Sequence, residues 1–225
     1  MPTIDEYKPG ATHFLMGNEA ISRGALEAGV HFASAYPGTP SSEIIQRLSG
    51  AAKAMNLHVE WSTNEKVAAE GAAAAAFAGL RSLVAMKNAG LSVALDYLTH
   101  LAYTGLGEGK GAMVTAVCDD PDAHSSGDET DSRWLAKFAC TPLVEPTTVQ
   151  DAKELVKWAF ELSEEFQCNV MFRGYTRICH ASSTVEMGTL DRIEKKAVSD
   201  SSRSVTPCLA KPKHAAVLEK LERIR

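Results

Sequence analysis

From Phe14 to Arg173 the chain repeats one pattern, in which a short apolar run is followed by a turn and then by a stretch with helical spacing of its apolar residues. Runs so short and so continuously apolar suit strands covered on both faces, and their alternation with helices makes them parallel neighbours joined by crossovers. This reading places strands at His31–Tyr36, His58–Ser62, Leu83–Met86, Ala112–Cys118, Pro142–Val144 and Asn169–Arg173. The expected fold is therefore α/β, a three-layer sandwich around a mainly parallel sheet.

The intervening helices carry recognisable ends. Asn18 is expected to cap a helix that Gly29 stops after Ala28, and Thr39 to cap another, with Pro40 as its first residue, that runs to Met55. An Ala-rich helix spans Asn64–Gly79, and others follow at Leu91–Ala102, before Phe138 and at Val149–Phe166. Beyond Arg173 the periodicity fades. Residues 1–180 thus read as one domain, and residues 181–225 as an extended arm or linker ending in an amphipathic helix at His214–Ile224.

Composition narrows the function classes. With 45% hydrophobic residues in 225, the chain can bury a sizeable core. A net charge of −5 without a basic run offers no footprint for nucleic acid or an anionic membrane. The longest apolar stretch, Val67 to Leu80, is mostly Ala and is broken by Glu70, so no membrane span is expected. The start MPTIDEYKPG lacks the apolar region of a secretory signal, and the expected location is the cytoplasm. Cys118, Cys140, Cys168, Cys179 and Cys208 form no C-x-x-C pair and read as reduced thiols, so no metal or cluster is expected on this chain.

In parallel sheets ligands bind beyond the carboxyl ends of the strands, so the informative loops are those that follow strands. Three stand out: Tyr36–Pro40, Ser62–Glu65 and Lys87–Gly90, with the polar Asp119–Asp131 as a fourth. None contains G-x-G-x-x-G, a P-loop or G-x-S-x-G, which removes dinucleotide, nucleoside triphosphate and hydrolase fingerprints. Glu65 has two readings. It completes an S-x-x-E capping box with Ser62, or it projects a carboxylate into the cleft for proton transfer. His124, Asp128, Glu129, Asp131 and Arg133 show no ligand spacing and read as a solvated loop, and Lys87 as an ordinary exposed lysine. Gly71, Ala72, Ala75 and Ala76 stack small residues on neighbouring turns, a face expected to meet another subunit in at least a homodimer.

Together these loops resemble a known family. Leu15-Met16-Gly17-Asn18-Glu19-Ala20, Ala35-Tyr36-Pro37-Gly38-Thr39-Pro40-Ser41-Ser42-Glu43 and Glu60-Trp61-Ser62-Thr63-Asn64-Glu65-Lys66-Val67-Ala68 resemble the amino-terminal region of alpha subunits of indolepyruvate ferredoxin oxidoreductases. Asp119-Asp120-Pro121, His124-Ser125-Ser126, Asp131-Ser132-Arg133 and Arg177-Ile178-Cys179-His180 extend the likeness over essentially the whole chain. The wider group is the thiamine-diphosphate-dependent 2-oxoacid:ferredoxin oxidoreductases. The resemblance implies a pyrimidine-binding domain in which Glu65 is the catalytic carboxylate, hydrogen-bonded to the aminopyrimidine ring so that the ring's own nitrogen can take the thiazolium proton. It places Thr39 near cofactor and substrate, and Asn88 and Gly90 in a cofactor-contacting loop that resembles Met-Lys-His-x-Gly-Leu-Asn, with Asn88 for the His and Ser92 for the Asn.

The family's Gly-Asp-Gly diphosphate motif is matched only by Gly127-Asp128-Glu129. The resemblance therefore implies that Mg and 4Fe-4S clusters sit on a diphosphate-binding and iron–sulfur partner, or on further domains, with coenzyme A as co-substrate and ferredoxin as acceptor. The chain is then expected to be half of a split enzyme or a piece of a longer one. A regulatory subunit on the same fold and a flavodoxin-like FMN or NAD binder are the alternatives.

Overall fold

The computed structural model describes residues 4–107, 110–190, 193–198 and 210–224, with side chains in the last segment from 213 onward. In chain order the elements are β1 (Thr12–Met16), α1 (Gly17–Glu27), β2 (Phe32–Ala35), α2 (Ser42–Met55), β3 (His58–Trp61), α3 (Glu65–Phe77), β4 (Arg81–Lys87) and α4 (Asn88–Thr104). After these come β5 (Ala112–Asp119), α5 (Ser132–Phe138), β6 (Leu143–Val144), α6 (Val149–Phe166), β7 (Asn169–Tyr175), α7 (Thr176–His180), β8 (Ser182–Glu186) and α8 (Ala210–Ile224). Six strands form one sheet in the order β3-β2-β4-β5-β7-β6, and every pair is parallel. No helix among the described residues is long and apolar enough to cross a membrane.

Both faces of the sheet are covered, and the central strands divide their side chains between two cores. Leu83 and Ala85 of β4, with Ala112, Val114 and Ala116 of β5 and Val170 and Phe172 of β7, pack against α1, α2 and α6. The alternating residues Val84, Met86, Met113, Val117 and Met171 pack against α3, α4 and α5. This period of two, buried on both sides, is why these strands read as continuous apolar runs.

The small residues of α3 serve that second core. Ala68, Ala69, Ala72, Ala73 and Ala76 are fully buried there, so Ala72 and Ala76 face the sheet and α4 instead of another subunit, which corrects the expectation for these two residues of the stripe; Gly71 and Ala75 are half-buried. Helix starts also differ from expectation. Asn18 lies inside α1, whose N-cap is Met16, and α2 starts at Ser42 behind Ser41, with Thr39 and Pro40 left in the preceding turn. A further sheet, absent from the sequence reading, pairs β1 with β8 antiparallel, from Thr12↔Glu186 to Met16↔Ser182. The arm is thus extended over Ser182–Glu186 but bound to the domain; its residues 199–209 lie outside the described set.

A buried ionic cluster locks α1 to α6 and to the segment after β8. Arg23 Nε donates to Glu27 Oε1 at 2.9 Å, and its other nitrogens donate to the carbonyls of Ile4 and Gly188. Lys153 Nζ donates to Glu27 Oε2 at 3.0 Å, and Gly188 N to Glu27 Oε1 at 2.7 Å. Burial opposes ionisation of Glu27, but the hydrogen bonds from Arg23, Lys153 and Gly188 outweigh it and hold the carboxyl below its usual value. A depressed folded-state pKa contributes stability that is present above about pH 4.5 and lost as pH falls through the folded-state value. Glu27→Gln leaves buried Arg23 without its carboxylate and Lys153 with only the partly exposed Glu154, and is expected to cost about 3–5 kcal/mol. Urea titrations from pH 7 to 3 check both points: the wild-type midpoint should fall with acidification while that of the variant, already low, changes less.

Candidate active site at the carboxyl edge of the sheet

The chain order of the strands reverses direction between β2 and β4. From β2 the chain leaves through α2, on the face shared with α1 and α6, whereas from β4 it leaves through α4 on the opposite face. Loops that diverge in this way open a crevice between the two strand ends, the position at which parallel sheets bind ligands. Its walls are the Tyr36–Ser41 turn on one side and Lys87–Gly90 on the other.

Glu65 enters this crevice as the first residue of α3 and is 8% exposed. The capping-box reading fails here. Asn64, not Ser62, caps α3, its side chain accepting from Val67 N at 2.9 Å. The carboxylate of Glu65 packs on Gly90 instead, where a Cβ would lie 2.6 Å from Glu65 Cγ and 2.7 Å from Cδ. Only glycine lets α3 and α4 bring a carboxylate this close to the crevice floor.

Asn88 and Gly90 lie in the first turn of α4, which starts directly after β4 at Asn88, three residues earlier than the Leu91 expected from sequence. The extended backbone of Lys87, φ −81° and ψ 170°, makes that turn without a loop. Asn88 is fully buried, and neither its Oδ1 nor its Nδ2 has a hydrogen-bond partner among the described residues. A buried amide left unpaired costs about 1–3 kcal/mol, so it needs a partner from outside the described residues.

Thr39 is exposed in the turn. Asn18 Nδ2 pins that turn from below by donating to Pro40 O at 2.8 Å and to Glu43 Oε2 at 2.9 Å. From above, Ser125 Oγ donates to Thr39 O at 3.2 Å, and Lys87 Nζ donates to Ser125 O at the same distance. Ser125 is itself held by Asp120. That carboxylate accepts from Ser125 N at 2.7 Å, from Ser126 Oγ at 2.9 Å and from Thr176 Oγ1 at 2.7 Å. Burial opposes its ionisation, yet these bonds hold Asp120 well below the ordinary carboxylate range.

Next to it, burial pushes Asp119 up despite hydrogen bonds from Ser132 and Arg173 Nε. The Asp119–Asp131 loop is therefore an ordered wall, with Asp131 capping α5 and pairing with Arg133 at 2.7 Å. Among the described residues no group of three or more His, Cys, Asp or Glu is placed to hold a metal ion. Sequence reasoning gave Asp120, Ser125 and Lys87 no role of their own, because their roles arise from contacts between loops far apart in the chain.

A family profile described as pyruvate flavodoxin/ferredoxin oxidoreductase, thiamine diphosphate-binding, matches residues 23–219. The chain belongs to this family. It is 45% identical over 223 residues to indolepyruvate oxidoreductase subunit IorA of Archaeoglobus fulgidus, covering 96% of this chain and 35% of that protein. It is 46% identical over 226 residues to the same subunit of Thermococcus kodakarensis, covering 97% of this chain and 34% of that one. The chain thus spans about a third of the length of these relatives. A solved 2-oxoglutarate:ferredoxin oxidoreductase from Magnetococcus marinus shares the fold with a TM-score of 0.71 at 17% identity, over 79% of this chain and 32% of that one.

For a thiamine-diphosphate-binding family the crevice residues fit the pyrimidine end of that cofactor. A buried carboxylate suits an aminopyrimidine, the two unpaired atoms of Asn88 await polar partners, and Gly90 keeps the approach open. Gly90→Ala tests the fit. The added methyl runs into the stem and carboxylate of Glu65 and turns that side chain away, so the melting temperature should change by about 4 °C or less, while thiamine diphosphate binding, measured by calorimetry on the holoprotein, should weaken.

Proposed function

We propose that this chain is the pyrimidine-binding component of a 2-oxoacid:ferredoxin oxidoreductase acting on indolepyruvate or another aryl pyruvate. The observation that carries this reading is Glu65: a buried carboxylate, relieved of capping by Asn64 and set against Gly90 in the crevice. The high identity to indolepyruvate oxidoreductase subunits supports the substrate class. When bound, thiamine diphosphate supplies the nucleophilic carbon that attacks the 2-oxo group and the electron sink for decarboxylation.

The residues of this chain hold and tune that chemistry. Glu65 exchanges a proton at its carboxylate oxygen with the pyrimidine ring. Asn88 offers a donor and an acceptor from the floor of the crevice, and Thr39, exposed in its turn, is assigned to the substrate side. The diphosphate-binding portion with its Mg, the 4Fe-4S clusters and the coenzyme A site are assigned to partner subunits or to further domains, with ferredoxin as acceptor. The assembly works in the cytoplasm as at least a homodimer.

Glu65→Gln in the assembled enzyme should lower thiamine-dependent reduction of a viologen dye by about two to four orders of magnitude. Its effect on urea stability should stay within about 1 kcal/mol, because the cap belongs to Asn64. The chain by itself should be inactive. Full activity of the Gln variant would instead favour a regulatory role on the same fold.

A further inference from the structure

A 2-oxoacid brings a carboxylate next to its reacting carbonyl, and recognising it requires a cation or a strong set of donors at the same strand ends as Glu65. This inference rests on the proposed reaction and asks which side chain provides that charge. Most cations around the crevice are already committed. Arg173 pairs with Asp119 at 2.6 Å and Glu145 at 2.8 Å, Arg133 with Asp131 at 2.7 Å, Lys66 with Asp96 at 2.7 Å and Arg47 with Glu19 at 2.9 Å. Arg177 follows β7, two places along the sheet from β4.

Lys87 is different. It is the last residue of β4 and so stands at the switch point itself, next in sequence to the buried Asn88. Its stem lies along the turn that holds Thr39, so closely that a Cβ on Gly38 would be 2.9 Å from Lys87 Cδ and 3.0 Å from Cγ. That packing fixes the direction of a side chain that would otherwise wander. Its ammonium donates to one neutral acceptor, the Ser125 carbonyl at 3.2 Å, and among the described residues it pairs with no carboxylate. An ammonium has three donors, so two remain for a ligand.

We infer that Lys87 is the substrate-carboxylate site of this half of the crevice, holding the 2-oxoacid between the Thr39 turn and the first turn of α4. The carboxylate would sit on a charge that the fold has oriented and left unneutralised. The carbonyl of Ser125, anchored through Asp120, accepts from the ammonium and so helps to orient it.

The test uses the assembled oxidoreductase with Lys87→Met and Lys87→Arg. Four readouts are taken: KM and kcat for the 2-oxoacid, thiamine diphosphate affinity, and inhibition by an unreactive 3-arylpropionate compared with its uncharged amide. Lys87→Met should raise KM by about ten- to a hundredfold. It should abolish the preference for the carboxylate inhibitor over the amide and leave cofactor affinity unchanged, while Lys87→Arg keeps much of the preference. An unchanged KM and inhibitor preference in Lys87→Met, or a parallel loss of cofactor affinity, overturns the assignment of Lys87 alone. Failure of the unaltered enzyme to turn over any 2-oxoacid overturns the functional reading and this site with it.

Discussion

A parallel sheet buried on both faces dictates most of what this molecule can be. Each central strand must send alternate side chains into two different cores, and each connection must return over one face or the other. Here β2 hands the chain to α2 on one face and β4 hands it to α4 on the other, while β2 and β4 remain hydrogen-bonded neighbours from Phe32↔Ser82 to Ala35↔Ala85. The backbones diverge just past Ala35 and Lys87, so a polar crevice opens where two apolar strands end. The crevice is a consequence of the topology, and its residues were free to specialise because the core does not need them.

That freedom shows in the polar groups. Glu27 is met by Arg23, Lys153 and the Gly188 amide, and Asp120 in the loop wall by Ser125, Ser126 and Thr176, while Asp119, Asn18 and Asn169 each leave a single buried atom unpaired among the described residues. The strand ends at the crevice contrast with this. Among the described residues Asn88 keeps both amide atoms unpaired and Lys87 keeps an ammonium without a carboxylate. A fold that satisfies Glu27 this completely but leaves these groups open bears their desolvation for a ligand, in the way functional sites generally do.

The sheet and its helices were legible because both depend on local periodicity. The runs at 83–86 and 112–118 announced β4 and β5 to within two residues, and the site glutamate stood directly after a strand. The pairing of β1 with β8 was not legible. Its strands are short, Ser182, Ser183 and Thr184 are exposed, and their partners lie some 170 residues away in sequence. Helix starts failed for a related reason. Asn18, Thr39 and Ser62 all have capping chemistry, but whether a side chain caps or reaches elsewhere is decided by tertiary neighbours: Asn18 spends its amide on Pro40 and Glu43. Lys87 looked ordinary because its position acquires meaning only from Gly38 and Ser125.

The Ala-rich sequence of α3 now has a positional explanation. Bulky side chains on Ala68, Ala72 or Ala76 would hold the helix away from the sheet, whereas methyl groups let it settle onto β2 and β4. Ser34 of β2 can then donate directly to the Ala68 carbonyl at 2.8 Å, one turn from the start of α3. That bond and the Ala packing fix the height of the helix above the sheet, while Gly90 sets how near α4 may come. The position of the Glu65 carboxylate follows from these contacts. It is set by the smallness of its neighbours, with no hydrogen bond of its own required to hold it, which leaves the oxygens available to a ligand.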